Sequence, residues 1–418
     1  MPQSASTRRP ARFLDRTTPP HILTLVLLTG LSALTMNVFL PSLPNMTTWF
    51  QTDYWVMQLS VSLYLGLNAV LQIVIGPLSD RFGRRPVMIW SLVLFLVATL
   101  GTLVAPTAAL FLICRMAQAT VAAAMVLSRA VVRDMVAQDE AASLLGYITM
   151  GTAVVPMLGP MVGGLLDERF GWQASFVLML GAGLAILALT WADMGETHPR
   201  LRAAAQPGSV AGAGGPANLG GTGELLASPR FWGYCGASAF ASGAFFAYLG
   251  GAPFLGTDLF HLSPGVLGIC FGAPAVGYAL GNFLSGRFSA RVGVNPMVLA
   301  GTLVNLAGIT VLILIDLAGF AGPVLFFSLF SSIGLGNGLV LPNATAGMLS
   351  VRPHLAGTAS GLGGAMMIGG GAALSALAGA VLVPGSGAMP LLVIMELTSV
   401  GAVVSILLVI LRARRIGF

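Results

Sequence analysis

The segment Gly76-Pro77-Leu78-Ser79-Asp80-Arg81-Phe82-Gly83-Arg84-Arg85-Pro86-Val87 gathers Asp80, Arg81, Arg84 and Arg85 between two stretches that are almost wholly apolar. A bilayer core of ~30 Å takes roughly 20 helical residues at 1.5 Å rise each. Each flanking stretch is long enough, so the charged turn is placed at a membrane surface. Apolar windows of this kind recur near 22–44, 55–78, 86–105, 108–130, 143–166 and 172–192, and again near 231–253, 264–285, 296–316, 321–345, 356–383 and 388–411. They read as twelve transmembrane helices in two sets of six, an all-α membrane protein.

Composition agrees. Charged residues are 8% of the 418, against about 25% in ordinary soluble domains, and 56% are hydrophobic. Such a chain cannot cover itself with polar surface. Its 54 glycines would weaken isolated soluble helices, whereas membrane helices use small residues to approach one another. Cys114, Cys235 and Cys270 lie in apolar stretches with no metal-ligand spacing, and read as small apolar fillers. The net charge of +6 is scattered singly between spans rather than gathered on one face, which argues against a nucleic-acid partner.

The expected domains are an N-terminal arm (1–20), a first six-helix half (21–194), a linker (195–230) rich in Gly, Ala and Pro, a second half (231–411) and a tail (412–418). With both termini cytoplasmic, eighteen of the twenty arginines fall on cytoplasmic ends, and only Arg169 lies outside and Arg115 within a span. The outer turns carry Asp53, Asp167, Glu168, Asp258 and Asp316 instead. The arm precedes a first span too long for a typical signal-peptide core, so that span is expected to stay. Gly286-Arg287-Phe288-Ser289-Ala290-Arg291-Val292-Gly293 echoes Gly76 to Gly83, the mark of a parallel repeat of halves with a substrate site between them near the bilayer midplane.

Three motifs carry a family resemblance. They are the Gly76 to Pro86 turn, Arg115-Met116-Ala117-Gln118-Ala119, and Pro156-Met157-Leu158-Gly159-Pro160-Met161-Val162-Gly163-Gly164. The chain resembles the major facilitator superfamily, specifically its twelve-span drug:proton antiporters, with Ala119 where the fourth-span motif has glycine. Phe39 to Pro44, Ser128 to Asp134, Ala247 to Phe254, Leu341 to Ala346 and Ala356 to Gly361 narrow the resemblance to the Bcr/CflA branch, which expels bicyclomycin, chloramphenicol, florfenicol and other compounds. It implies a monomeric exporter of small amphipathic compounds in a bacterial inner membrane, exchanging cargo for protons among membrane lipids, with the proton gradient in place of any cofactor.

The resemblance makes Asp80 a latch that closes the halves on the cytoplasmic side, with Arg129, Arg133 or a residue of the eleventh span as partner. Gly76 and Gly83 serve close approach and a turn, while Arg81, Arg84 and Arg85 either share in gating or only fix topology. Arg115 lies in a span, where a charge costs at least ~2.5 kcal/mol. It either couples proton movement to cargo release or makes structural bonds to carbonyls or Gln118. Pro156, Gly159, Pro160, Gly163 and Gly164 form a hinge whose smooth side faces Gly272, Gly277 and Gly281 of the eighth span.

Many relatives carry an aspartate where this chain has Asn37, and an amide carries no proton in the physiological range. Glu396, the one acid well inside a span, and Asp134 are therefore the candidate proton carriers. Asn37, Tyr64, Asn68, Gln118, Phe245, Tyr248, Asn282, Asn337 and Met366 are the candidate cavity residues, polar or adaptable positions on apolar spans. His21, His198, His261 and His354 lie at span ends or in loops without a catalytic or metal-binding pattern, so an enzyme is not expected. No Walker motif is present, and transport is expected to draw on an ion gradient or downhill cargo flow. A uniporter or importer of a metabolite, made plausible by Asn37, is the alternative, and a non-transporting receptor or scaffold is a further class.

Overall fold

The computed structural model describes residues 12–135, 144, 155, 158–197, 222–352 and 356–416. Eleven of the described helices are long and apolar enough to cross a membrane. The first half contains α1 (Ile22–Phe50), α2 (Tyr54–Phe82), α3 (Arg84–Val104), α4 (Ala108–Val132) and α6 (Gln173–Asp193). Residues 158–170 form the described part of α5. The second half contains α7 (Pro229–Asp258), α8 (Pro264–Val292), α9 (Val294–Leu317) and α10 (Pro323–Val351). It closes with α11 (Ala356–Val381) and α12 (Met389–Ile416). Among the described residues there is no strand.

The sharp bends between helices are set by glycine. Gly83 joins α2 to α3 at φ 100° and ψ 153°, and Gly293 joins α8 to α9 at φ 95° and ψ 158°. A side chain is strained at such angles, so the charged turn and its echo have one backbone solution, used once in each half. The halves also repeat a polar link between corresponding helices. Gln118 of α4 donates to Thr99 of α3 at 2.8 Å, and the side-chain amides of Asn305 on α9 and Asn337 on α10 meet at 3.2 Å.

Within the second half, a Cβ on Gly277 or Gly281 of α8 would overlap the backbone of α10 near Ser331 and Leu335. Gly334 and Gly338 return the fit against Pro274 and Tyr278. This corrects the expectation that Gly277 and Gly281 face α5: they are spent on packing α8 against α10 inside their own half. The surface that meets α5 lies at least two turns earlier on α8, where a Cβ on Gly164 would overlap the Pro264 carbonyl and one on Gly268 the Pro160 carbonyl.

A hub of acids ties chain segments together at the charged-turn end. Asp193, fully buried at the end of α6, accepts from the backbone N–H of Leu14 at 2.7 Å and of His21 at 2.8 Å, and from the Thr24 hydroxyl at 2.6 Å. Glu196 accepts from the N–H groups of Arg84 at 3.0 Å and Arg85 at 3.3 Å, capping the N-terminus of α3 with a negative charge. The chain just past α6, where the linker was expected to begin, is thus held by the first half. Gly83→Ala should cost on the order of 1–3 kcal/mol through backbone strain alone. At Gly76 an added Cβ meets nothing within 4 Å, which corrects the expectation of a close helix approach there, and Gly76→Ala should not lower the unfolding temperature in detergent.

Candidate functional site

The halves meet most closely at the end away from the charged turn. There the Tyr54 hydroxyl of α2 donates to the Gly250 carbonyl of α7 at 2.8 Å, and the Gln58 amide donates to the Ser375 hydroxyl of α11 at 2.9 Å. The Tyr54 and Phe254 rings lie 5.1 Å apart. Gly250 and Gly379 leave the room that Gln58 fills, and α5 closes the other flank through Gly164 and Gly268. A Cβ on Gly163 would overlap the Val38 carbonyl of α1, and Gly159 lies near Leu34 and Asn37, so α5 is wedged between α1 and α8.

Toward the charged turn the same helix pairs separate. On the α2–α11 side, an added Cβ on Gly66 lies 3.9 Å from Ala372 and one on Gly364 lies 4.0 Å from Gln72, while at Gly361 nothing comes within 4 Å. On the α5–α8 side the tight fit at Gly268 gives way, about one turn on, to open space at Gly272 among the described residues. The space between the halves is a wedge, sealed at one end and widening toward the other.

Arg115 forms the polar centre of the first half. Its side chain is fully buried, and its guanidinium donates to the Ser60 carbonyl at 3.3 Å, Gln118 Oε1 at 2.7 Å and the Thr35 carbonyl at 2.8 Å. The Phe39 and Tyr64 ring faces stand 4.4 and 4.0 Å from it. One cation therefore ties α1, α2 and α4 together, making both the carbonyl bonds and the Gln118 bond weighed from the sequence. A planar fork suits several acceptors in fixed directions, and aromatic faces add electrostatic attraction.

The remaining candidates divide by position. Asn37 donates to its own helix at the Ala33 carbonyl, and Asn282 to the Tyr278 carbonyl. Asn68 accepts from Gln72, which lies on the α2 face toward α11. Tyr248 is enclosed by Phe245, Phe271 and Phe330, and its buried hydroxyl has no hydrogen-bond partner among the described residues. Asn337 is buried between α9 and α10, while Met366 is part-buried on α11. Glu396 lies away from the wedge: it accepts from Thr310 of α9 at 2.7 Å, on the side of α12 opposite the partner half.

At the charged turn, Arg84 is the centre. Its guanidinium meets Asp80 at 2.7 Å, Asp134 at 3.2 Å and the Ser79 hydroxyl. This gives Asp80 a partner four residues along the chain, across the Gly83 bend, that the sequence reading does not name. The resulting link spans α2, α3 and α4 within one half. Arg81 lies over Phe82, Arg85 over Trp191, and Arg129 is exposed. Pro156 and the side chain of Arg133 lie outside the described residues. Sequence reasoning missed Tyr54, Gln58, Ser375, Gln72 and Glu196. A polar residue facing a glycine in another span was the available signal for Gln58.

The family model of the Major Facilitator Superfamily matches residues 25–376. The chain belongs to the Major Facilitator Superfamily. It is 29% identical over 347 residues to a chloramphenicol resistance protein of Pseudomonas aeruginosa, covering 81% of this chain and 79% of that one. It is 28% identical over 381 residues to multidrug resistance protein D of Escherichia coli, covering 89% and 91%. A similar fold is seen in the crystal structure of a bacterial homologue of the human lysosomal transporter Spinster, inward-facing and occupied, with a TM-score of 0.70 at 18% identity over 94% of this chain and 96% of that one. The protein is a multi-pass membrane transporter of this superfamily, not an enzyme.

Arg115→Met strips two carbonyls and Gln118 of their donor, and a lost hydrogen bond to a charged group is worth about 1.5–3 kcal/mol. Its unfolding temperature in detergent should fall by several degrees, and Arg115→Lys should recover little of the loss, because an ammonium cannot reproduce the fork. A second test concerns the seal. With Cys114, Cys235 and Cys270 replaced, a cysteine at the buried position 375 should react slowly with an impermeant maleimide, and adding Gly164→Val should speed labelling at least severalfold.

Proposed function

We propose that this transporter exports small amphipathic compounds of the chloramphenicol, florfenicol and bicyclomycin kind, exchanging them for protons by rocking its halves about the wedge. The observation that carries the reading is the asymmetry of the interface, closed by Tyr54, Gln58, Gly164 and Gly268 at one end and divergent toward the charged turn. The arginine distribution supports a cytoplasmic charged turn with both termini inside, which makes the wedge inward-facing. The names of the resistance proteins among its relatives support drug-like cargo.

In this reading cargo enters from the cytoplasmic side and binds between α2 and α7, α8 and α11. The halves then rock, the Tyr54–Gly250 and Gln58–Ser375 contacts part, and α5 slides away from α8. The link of Asp80, Arg84 and Asp134 stays within the first half, and Asp80 serves as the latch by exchanging Arg84 for a partner across the interface when the cytoplasmic side closes. Asp134 is the proton carrier that the geometry favours, because Glu396 is directed to α9. A second reading, facilitated uniport of a metabolite, draws support from Asn37, an amide bonded to its own helix where a carrier carboxylate would stand.

Expression in a pump-deficient host should raise resistance to phenicols at least fourfold, and Asp80→Asn should remove the gain. In proteoliposomes, adding drug should release an imposed proton gradient, read by acid quench. Cargo movement without proton flux would establish the uniport reading, and neither resistance nor cargo movement would overturn export altogether. Asp134→Asn should abolish drug-driven proton flux while Glu396→Gln preserves it; the reverse result would return the carrier role to Glu396.

A further inference from the structure

Within the twelve apolar windows, the charged residues away from the window ends are two, Arg115 and Glu396. Glu396 lies between α12 and α9 and accepts from Thr310, outside the principal contacts between halves, which run from α1 and α2 to α7, α8 and α11. The windows of the helices that meet across the halves therefore hold no acid, and Arg115 of α4 is a buried cation set against two of them, α1 and α2. Two carbonyls, an amide oxygen and two ring faces contact the Arg115 guanidinium, and each of these is a dipole or quadrupole without net charge. Dipoles orient and stabilise the cation but leave its unit charge in place, and a buried charge is screened much less by salt and water than an exposed one.

We propose that the wedge sorts cargo by charge, admitting neutral and anionic amphipaths and excluding lipophilic cations, with Arg115 setting the sign and Asn37 leaving it uncompensated. The inference deepens the export reading and rests on it for the identity of the wedge as the cargo site. Asn37 lies two residues from Thr35, whose carbonyl Arg115 binds, and is 3% exposed against α5 at Gly159. A carboxylate there would add a full negative charge on α1 two residues from the carbonyl that holds Arg115; an amide does not. The aromatic faces that would attract a cationic cargo are also engaged, because Phe39 and Tyr64 are directed at Arg115. At the depth of Arg115, past the acids of the charged-turn end, a cation meets repulsion with no acid in the described spans that meet across the halves to offset it, whereas a neutral molecule meets none and an anion gains attraction.

The test uses tetraphenylphosphonium and tetraphenylborate, ions of nearly equal size and shape and opposite charge. Each is bound to the full-length protein in nanodiscs of neutral phosphatidylcholine and corrected by empty discs for partition into lipid. The wild-type protein should bind the borate at least tenfold more tightly than the phosphonium. Asn37→Asp should bring the two affinities within about threefold or reverse them, and Asn37→Gln should keep the wild-type ratio. Equal or stronger wild-type binding of the phosphonium overturns the proposal, as does an unchanged ratio in a folded Asn37→Asp protein. If that variant does not fold, Asn68→Asp on α2 takes its place and is held to the same criterion. Phenicol transport is measured beside these affinities: its absence with the ratio intact sinks the export reading, while its presence without charge discrimination sinks this proposal alone.

Discussion

A bilayer interior offers no water to a polar group, so each donor, acceptor and charge in a span must find its partner within the protein. Arg115 shows how far this rule organises the first half. Its guanidinium can be satisfied only if the carbonyls of Thr35 and Ser60 and the oxygen of Gln118 converge on one point, which fixes α1, α2 and α4 at a common depth. Gln118 then uses its own amide to hold Thr99, bringing α3 into the same arrangement. Carbonyls reach a cation from an intact helix only when helices stand close, and small residues elsewhere in the half make that approach possible.

The span pattern was legible in the sequence because the physics that sets it is one-dimensional: length and hydropathy suffice to mark a crossing. The glycine turns were legible for the same local reason, since a bend at positive φ admits little else, and Gly83 and Gly293 adopt nearly the same angles. Directions were not legible. Helices apolar on all sides carry no polar stripe to mark their inner face. Gly277 and Gly281 could therefore have served α5 or α10 equally well on paper, and Glu396 could have faced either the wedge or α9. Pairing of charges was obscured for a different reason, because Arg84 stands across a bend from Asp80 and only the angles at Gly83 bring them together.

The acids at the charged-turn end do work that the motif pattern alone does not reveal. Glu196 uses both carboxylate oxygens on the exposed N–H groups that begin α3, and Asp193 holds the chain before α1 to the end of α6. The turn is thus anchored by its own half on two sides. Arg84 joins that anchorage to α4 through Asp134. The described helices of the first half are thus tied to one another by buried polar bonds, of which the interface with the second half has few.

That interface is held together sparingly. Its described polar bonds, Tyr54 to Gly250 and Gln58 to Ser375, belong to a kind that averages about 0.6 kcal/mol in membrane helix pairs. Glycine contacts along the seam bring backbones together but bury little side-chain surface. Moving a two-state balance from 1:99 to 99:1 takes about 5.5 kcal/mol of difference in affinity between the two states, which fits within the roughly 8 kcal/mol a micromolar ligand releases in all. With a seam this lightly fastened, the contacts that a bound molecule makes in one arrangement and loses in the other weigh more than the seam's own polar bonds.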